Sequence, residues 1–279
     1  MTRIAHLSDI HFGAHDDKLV AATEAWLQQR RPDLVIISGD FTQRAKVEEF
    51  RAAGAYLNRL RAAGLTVLAI PGNHDVPLYD VVRRFATPLD RYRKFIDQGL
   101  CPWFEDEHVA VLGINTARSL TIRDGRINYH QIAMMHDRFG AVVGEKLRIL
   151  VTHHPLFAMP IGEGNELSEA VGRHRDAVDG ASAAGVDVAL AGHFHRTYAN
   201  APGRMVEEAG PILVVQAGTA TSTRLRNDEP QSFNWLHVTR PDELLLQVIP
   251  WDGANFVEAS ETRYRLGSTG WQAGATDPA

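Results

Sequence analysis

Five short clusters in this 279-residue chain gather side chains that hold divalent cations. They are Asp9-Ile10-His11, Gly39-Asp40, Gly72-Asn73-His74-Asp75, His153-His154 and Gly192-His193-Phe194-His195. Carboxylate and amide oxygens mixed with imidazole nitrogens suit manganese, iron, zinc or cobalt, and the donor types do not choose among these. Taken singly, each cluster has a plainer reading. Asn-His-Asp is commonly a turn with local hydrogen bonds, and a lone His-His-Pro is more often surface or satisfied core than a ligand. Their joint presence and order favour one shared site over five unrelated turns.

Each cluster ends an apolar run. Residues 4–7 lead into Asp9, 34–37 into Asp40, 67–70 into Asn73, 147–151 into His153 and 186–191 into His193. Runs of this length, rich in Val, Ile and Leu, read as strands buried on both faces. Between them lie helical patterns. Asp16 is placed to cap a helix carrying Leu19, Thr23, Trp26 and Leu27 on one face, with Pro32 as its stop. Val47, Phe50, Gly54, Leu57 and Leu60 repeat at helical spacing before Gly64. A third helix is predicted over residues 129–139 and a fourth before Gly185. Such alternation implies parallel strands with helices outside. Ligands of these sheets bind at the carboxyl ends of the strands, the rim on which all five clusters fall. Gly39, Gly72 and Gly192 are expected to let the chain turn tightly as it leaves a strand.

The character changes after Pro211. Residues 212–217, 233–239 and 244–249 are strand-like, and Pro241-Asp242-Glu243 is a turn that predicts an antiparallel hairpin. The C-terminal half is therefore expected to supply a second, mixed sheet. The fold expected is α/β, two sheets packed face to face with helices outside. Residues 1–266 are expected to form one domain, and 267–279, small and polar, a disordered tail.

In this order the clusters resemble the signature of the calcineurin-like metallophosphoesterases: Asp-x-His, Gly-Asp, Gly-Asn-His-(Asp/Glu), a later His and Gly-His-x-His. The match runs from Arg3 to His195, roughly two thirds of the chain. The resemblance implies a four-layer αββα sandwich with two mixed sheets and a site for two divalent cations. Asp9, His11 and His195 would hold one, Asn73, His153 and His193 the other, and Asp40 would bridge both. It leaves His153 and His154 to choose between. His153 is taken as the ligand because it comes first after the strand, with His154 supporting it. His74 would act outside the metals, protonating the leaving alkoxide or stabilising the phosphoryl oxygens. Asp75 would either orient His74 or cap the turn. Two divalent cations bring four positive charges; Asp9, Asp40 and a bridging hydroxide remove three, and the small excess attracts a phosphate ester. Cations about 3.5–4 Å apart acidify a shared water and stabilise both oxygens of an in-line displacement.

Within the superfamily, three strings look most like the class III cyclic-nucleotide phosphodiesterases and their glycerophosphodiesterase relatives. They are Leu7-Ser8-Asp9-Ile10-His11-Phe12-Gly13, Pro71-Gly72-Asn73-His74-Asp75 and Thr152-His153-His154-Pro155-Leu156. This implies a phosphodiesterase of small substrates such as cyclic nucleotides, working by attack of a metal-bridging hydroxide. Two alternatives share the core: a single-strand DNA nuclease and a nucleotide or lipid-precursor pyrophosphatase. A third, from another class, is a non-catalytic metal-binding scaffold. The net charge of −5 and the lack of an evident extra DNA-binding domain argue against the nuclease. A scaffold would be expected to lose ligands, and the full set is present.

Residues 157–175, with Pro160, Gly162, Gly164 and Gly172, are expected to form a cleft loop that sets substrate size. A single cysteine, Cys101, excludes an intramolecular disulfide and reads as a packing residue. The early charge argues against a secretory signal, and no apolar run approaches the length of a membrane span. A cytoplasmic enzyme is expected. His6, His15, His108, His130, His136, His174 and His237 read as packing or surface residues. Arg224 and Arg226 could meet phosphate, although a solvated loop is the favoured reading.

Overall fold

The apolar runs form strands because alternate side chains find a different core on each face. In β1 (Thr2–Leu7) and β2 (Leu34–Ile37), Ile4, Leu34 and Ile36 point one way, while Ala5, Leu7, Val35 and Ile37 point the other. All seven are fully buried. This is a computed structural model, and it describes residues 1–121, 124–158, 170–194, 198–200, 212–225, 229–259 and 261–274.

Two sheets result among the described residues. The first adds β3 (Val67–Ala69) parallel to β2. On the other edge of β1 it continues antiparallel through β10 (Ser232–Arg240), β11 (Glu243–Pro250), β12 (Glu261–Gly267) and β13 (Gly270–Ala273). The second runs β4 (Trp103–Glu105), β5 (Val109–Ile114), β6 (Leu147–Thr152), β7 (Val188–Ala191), β9 (Leu213–Gln216) and β8 (Tyr198–Asn200). In it β5, β6, β7 and β9 are parallel.

Between the sheets, Ile4, Ile36 and Ile70 meet Val111, Ile149 and Leu190 in one apolar layer. Each such side chain contributes about 1.5–3 kcal/mol by leaving water. Helices α1 (Asp17–Arg30), α2 (Val47–Ala62) and α4 (Asp90–Phe95) cover the outer face of the first sheet. Helices α5 (Tyr129–Gly140) and α6 (His174–Ala183) cover that of the second. The layers are αββα, as the resemblance implied. Asp16 caps α1 as expected, accepting from the Lys18 N–H at 2.8 Å. Arg31, in the left-handed region at φ 48°, ends that helix before Pro32.

Three expectations need correction. The C-terminal half does not build a sheet of its own: β9 joins the parallel middle strands, whereas β10 to β13 extend β1 across its open edge. The expected tail is ordered at its start, because β13 pairs with β12 and buries Trp271, whose Nε1–H donates to the Asp187 carbonyl at 3.0 Å. Residues 275–279 lie outside the described residues. Finally, α4 and the short helix α3 (Val81–Ala86) were not foreseen.

α2 crosses α4 at Gly54. A Cβ built there would stand 2.6 Å from the Phe95 carbonyl oxygen, a rigid backbone atom. Glycine is a poor helix former, so its presence mid-helix reflects this close approach. Gly54→Ala should gain helix propensity yet lose about 1–3 kcal/mol by overpacking. Denaturant unfolding checks the sign; a variant as stable as the wild type would mean the two helices are free to separate.

Candidate metal centre

The carboxyl ends of β1, β2 and β3 in one sheet, and of β6 and β7 in the other, deliver six of the predicted donors, Asp9, His11, Asp40, Asn73, His153 and His193, to one place. Past the strand ends, two loops run side by side: Asp9 N–H bonds the Gly39 carbonyl at 3.2 Å and His11 N–H the Asp40 carbonyl at 2.9 Å. The turns are sharp. Asp9, His11, Asp40 and His193 all sit in the left-handed region, with φ of 54°, 51°, 51° and 80°. Such backbone costs a non-glycine residue about 1–3 kcal/mol and persists where surroundings impose it.

Of the three glycines expected to turn the chain, Gly39 alone does so by a positive φ, 102°. Gly72 and Gly192 serve by close approach instead. A Cβ on Gly72 would strike the carboxylate and backbone N of Asp40, and one on Gly192 would strike Ser8 Oγ and Asp9 Oδ2.

The donors converge on Asp40. Its Oδ1 accepts the His74 backbone N–H at 2.8 Å. Its Oδ2 lies 3.7 Å from His11 Nε2 and 3.4 Å from His153 Nε2. On the first side, His11 Nε2 is 3.5 Å from Asp9 Oδ1. On the second, Asn73 Oδ1 is 3.1 Å from both His153 Nε2 and His193 Nδ1. Asp9, His11 and His153 are fully buried and Asp40 nearly so. Ligand atoms of Asp9, Asp40 and His153 share one 4.8 Å neighbourhood, and those of His153, His154 and His193 another. His195, expected beside Asp9 and His11, lies outside the described residues.

The surroundings prepare these rings for cations. His153 Nδ1 faces the Ser38 carbonyl at 2.8 Å, which fixes that nitrogen as a donor and turns Nε2 toward Asp40, where it would ligate a cation once deprotonated. His154 instead turns Nδ1 to the Thr116 hydroxyl at 2.7 Å. Burial works against the Asp40 charge, but His153, His74 and His11 outweigh it and hold the carboxyl far below the usual range. Burial likewise works against a charged His153, yet Asp40 and Asp9 raise it to about 9. The ion-pair partners of Asp40 among the described residues are histidines only. A buried carboxylate ringed by imidazoles and an amide oxygen fits divalent cations, which would displace the His153 proton to solvent on binding.

His74 stands at the rim, half-buried, its ring centroid 4.9 Å from that of His11. Its Nδ1 lies 2.8 Å from the Gln43 carbonyl, not from Asp75. The orienting role considered for Asp75 is therefore corrected. The Asp75 carboxylate accepts from the N–H groups of Gly72, Phe41 and Thr42 at 2.9, 3.2 and 3.0 Å, and from the Thr42 hydroxyl at 3.0 Å. It ties the Asn73 turn to the Asp40 loop. Burial and the nearby Asp40 charge push its pKa up to about 7 against these donors.

Several supports escaped the sequence reading. The Thr219 and Thr221 hydroxyls, both buried, donate to the Asp9 and Ile10 carbonyls at 2.7 and 2.8 Å and brace that loop from behind. Gln216 Nε2 donates to the Gly192 carbonyl. These residues lie at or just past the end of β9, far from the motifs, and only the sheet order brings them near. Most of the expected cleft loop, residues 159–169, lies outside the described residues, as does Arg226.

This fold and this cluster of donors define a metal-dependent phosphoester hydrolase. The model of the calcineurin-like phosphoesterase family matches residues 2–197, and the chain belongs to that family. It is 24% identical over 230 residues to a probable cyclic nucleotide phosphodiesterase of Synechococcus, covering 76% of this chain and 81% of that one. Over a shorter stretch of 83 residues it is 37% identical to the glycerophosphodiester phosphodiesterase GpdQ of Enterobacter lignolyticus, 26% of this chain and 29% of that one. Among solved structures, a purple acid phosphatase from yellow lupin (Lupinus luteus) seeds superposes with a TM-score of 0.71 at 14% identity. That overlap covers 92% of this chain and 52% of the lupin protein, so this chain spans about half of its length. No helix among the described residues is long and apolar enough to cross a membrane.

Proposed function

We propose that this protein hydrolyses small phosphodiesters at a centre of two divalent cations. The observation that carries the reading is the position of Asp40 Oδ2, between His11 on one side and His153 on the other. Asp9, His11 and His195 would hold one cation and Asn73, His153 and His193 the second, with Asp40 contributing to both. When bound, the cations supply Lewis-acid stabilisation of the phosphoryl oxygens and an acidified water.

The remaining work falls to the chain itself. Asp75 and the Thr219 and Thr221 hydroxyls hold the donor loops still, so little reorganisation is needed as charge develops. His74 commits Nδ1–H to the Gln43 carbonyl, which leaves Nε2 to carry a proton to the departing alkoxide. A diester makes use of this arrangement, because its alkoxide is a poor leaving group and its single negative charge suits a site of small positive excess. The names of the Synechococcus and Enterobacter relatives support a diester over a monoester.

A panel of cyclic nucleotides, glycerophosphodiesters, phosphomonoesters and single-stranded DNA on metal-replete protein tests the reading. Small diesters should show the highest kcat/KM. Turnover confined to monoesters, or faster cleavage of DNA than of any small diester, would overturn it.

A further inference from the structure

Beside His74 the rim opens into a cavity of about 380 Å³ that the hydrolysis just described does not use. Gln43 joins the two: its carbonyl receives His74 Nδ1 and the residue forms part of the cavity wall. Arg44, Lys46 and Arg224 supply three cations to that wall, and Glu49 the one carboxylate. Glu49 Oε2 is already committed to the backbone N–H groups of Arg44 and Lys46, at 2.8 and 3.2 Å. The Arg44 guanidinium forms no hydrogen bond or ion pair among the described residues. Lys46 meets the exposed Glu48 at 3.9 Å, a contact of little worth in solvent. In a chain of net charge −5, a cavity wall carrying Arg44 and Lys46 against one already committed carboxylate stands against the average of the surface.

We propose that this cavity is a subsite for a second phosphate, carried by a nucleotide-sized diester whose scissile phosphate lies at the metal centre. The inference rests on the phosphodiesterase reading and narrows its substrate class. A guanidinium offers paired N–H donors that match phosphate oxygens, and an ammonium adds a point charge. The space suits a phosphate together with part of the sugar that links it. Diesters with one phosphate, cyclic nucleotides among them, would leave this subsite unfilled and react less well.

The test compares thymidine 3′,5′-bisphosphate with thymidine 5′-monophosphate on the metal-loaded protein by calorimetry. The bisphosphate should bind about tenfold or more tightly, the effect of one charge-assisted contact. In the double variant Arg44→Gln, Lys46→Gln the two ligands should bind within about twofold of each other. Both side chains are exposed, and the capping bonds to Glu49 come from their backbone, so the variant keeps its fold. The matching kinetic ratio is that of kcat/KM for the 5′-(p-nitrophenyl) ester of thymidylate with and without a 3′-phosphate, and it should fall by the same factor. Equal affinities in the wild type, or a preference that survives the double variant, would overturn the subsite. Absence of turnover on both esters would instead sink the diesterase reading, while the calorimetric ratio would still report on the cavity.

Discussion

Asp40→Asn should reduce the metal content of purified protein from about two equivalents to one or fewer, and cut turnover by more than about a thousandfold. That exceeds the 10²–10³ lost on removing one electrostatic donor from an active site. The reason is the division of labour between the two carboxylate oxygens. Oδ1 is tied by the His74 N–H, so Oδ2 alone faces both halves of the centre. Asparagine can keep one of these contacts and not both. If its oxygen accepts from His74, its NH₂ points at His11 and His153, where a donor meets the cations. If it is flipped, the NH₂ opposes the His74 N–H. In either pose the negative charge that drew His153 up to about 9 has gone, and Asp9 is left as the one anionic ligand expected among the donors. Metal analysis and kinetics on the same preparation check both halves. A variant with two tightly held ions would show that Asp40 is not shared between them.

The donor positions were legible because they obey two local rules at once. Each follows a largely apolar strand, and each is Asp, His or Asn, the non-glycine types that most readily accept the left-handed backbone seen at Asp9, His11, Asp40 and His193. A strand end and a permissive residue are written side by side in the chain, so sequence reasoning finds them. The layers were legible for a similar reason, since strands such as β2 are apolar at every position and need a core on each face.

What was missed depends on neighbours that sequence order does not reveal. β10 joining β1 is a choice of sheet edge, and periodicity within β10 carries no trace of it. α3 turns Val81, Val82 and Phe85 outward, which inverts the pattern by which helices are recognised. Asp75 and Thr219 support the site through backbone groups of distant loops, and a hydrogen bond to a backbone group leaves no complementary residue type to notice. Asp75 is instructive. Its place beside His74 suggested a partner for that ring, yet the 3₁₀ turn over Asn73–Asp75 points the two side chains apart. His74 goes to the Gln43 carbonyl, and Asp75 goes beneath the Asp40 loop.

His74→Ala should leave both metals in place and still lose about 10²–10⁴ in kcat on a diester with an aliphatic leaving group, the usual worth of a general acid. The substitution removes the ring and nothing else. The His74 backbone N–H continues to hold Asp40 Oδ1, and the ring packs edge-on against His11 without supplying one of the converging donor atoms. The loss should depend on the leaving group. A p-nitrophenolate needs little protonation, so bis-p-nitrophenyl phosphate should suffer much less than a glycerophosphodiester. That contrast separates a proton donor from a residue that stabilises phosphoryl oxygens, since the latter would matter about equally for both esters. Equal losses across leaving groups would move His74 from acid to electrostatic stabiliser, and full retention of rate on the unactivated diester would remove it from the chemistry altogether.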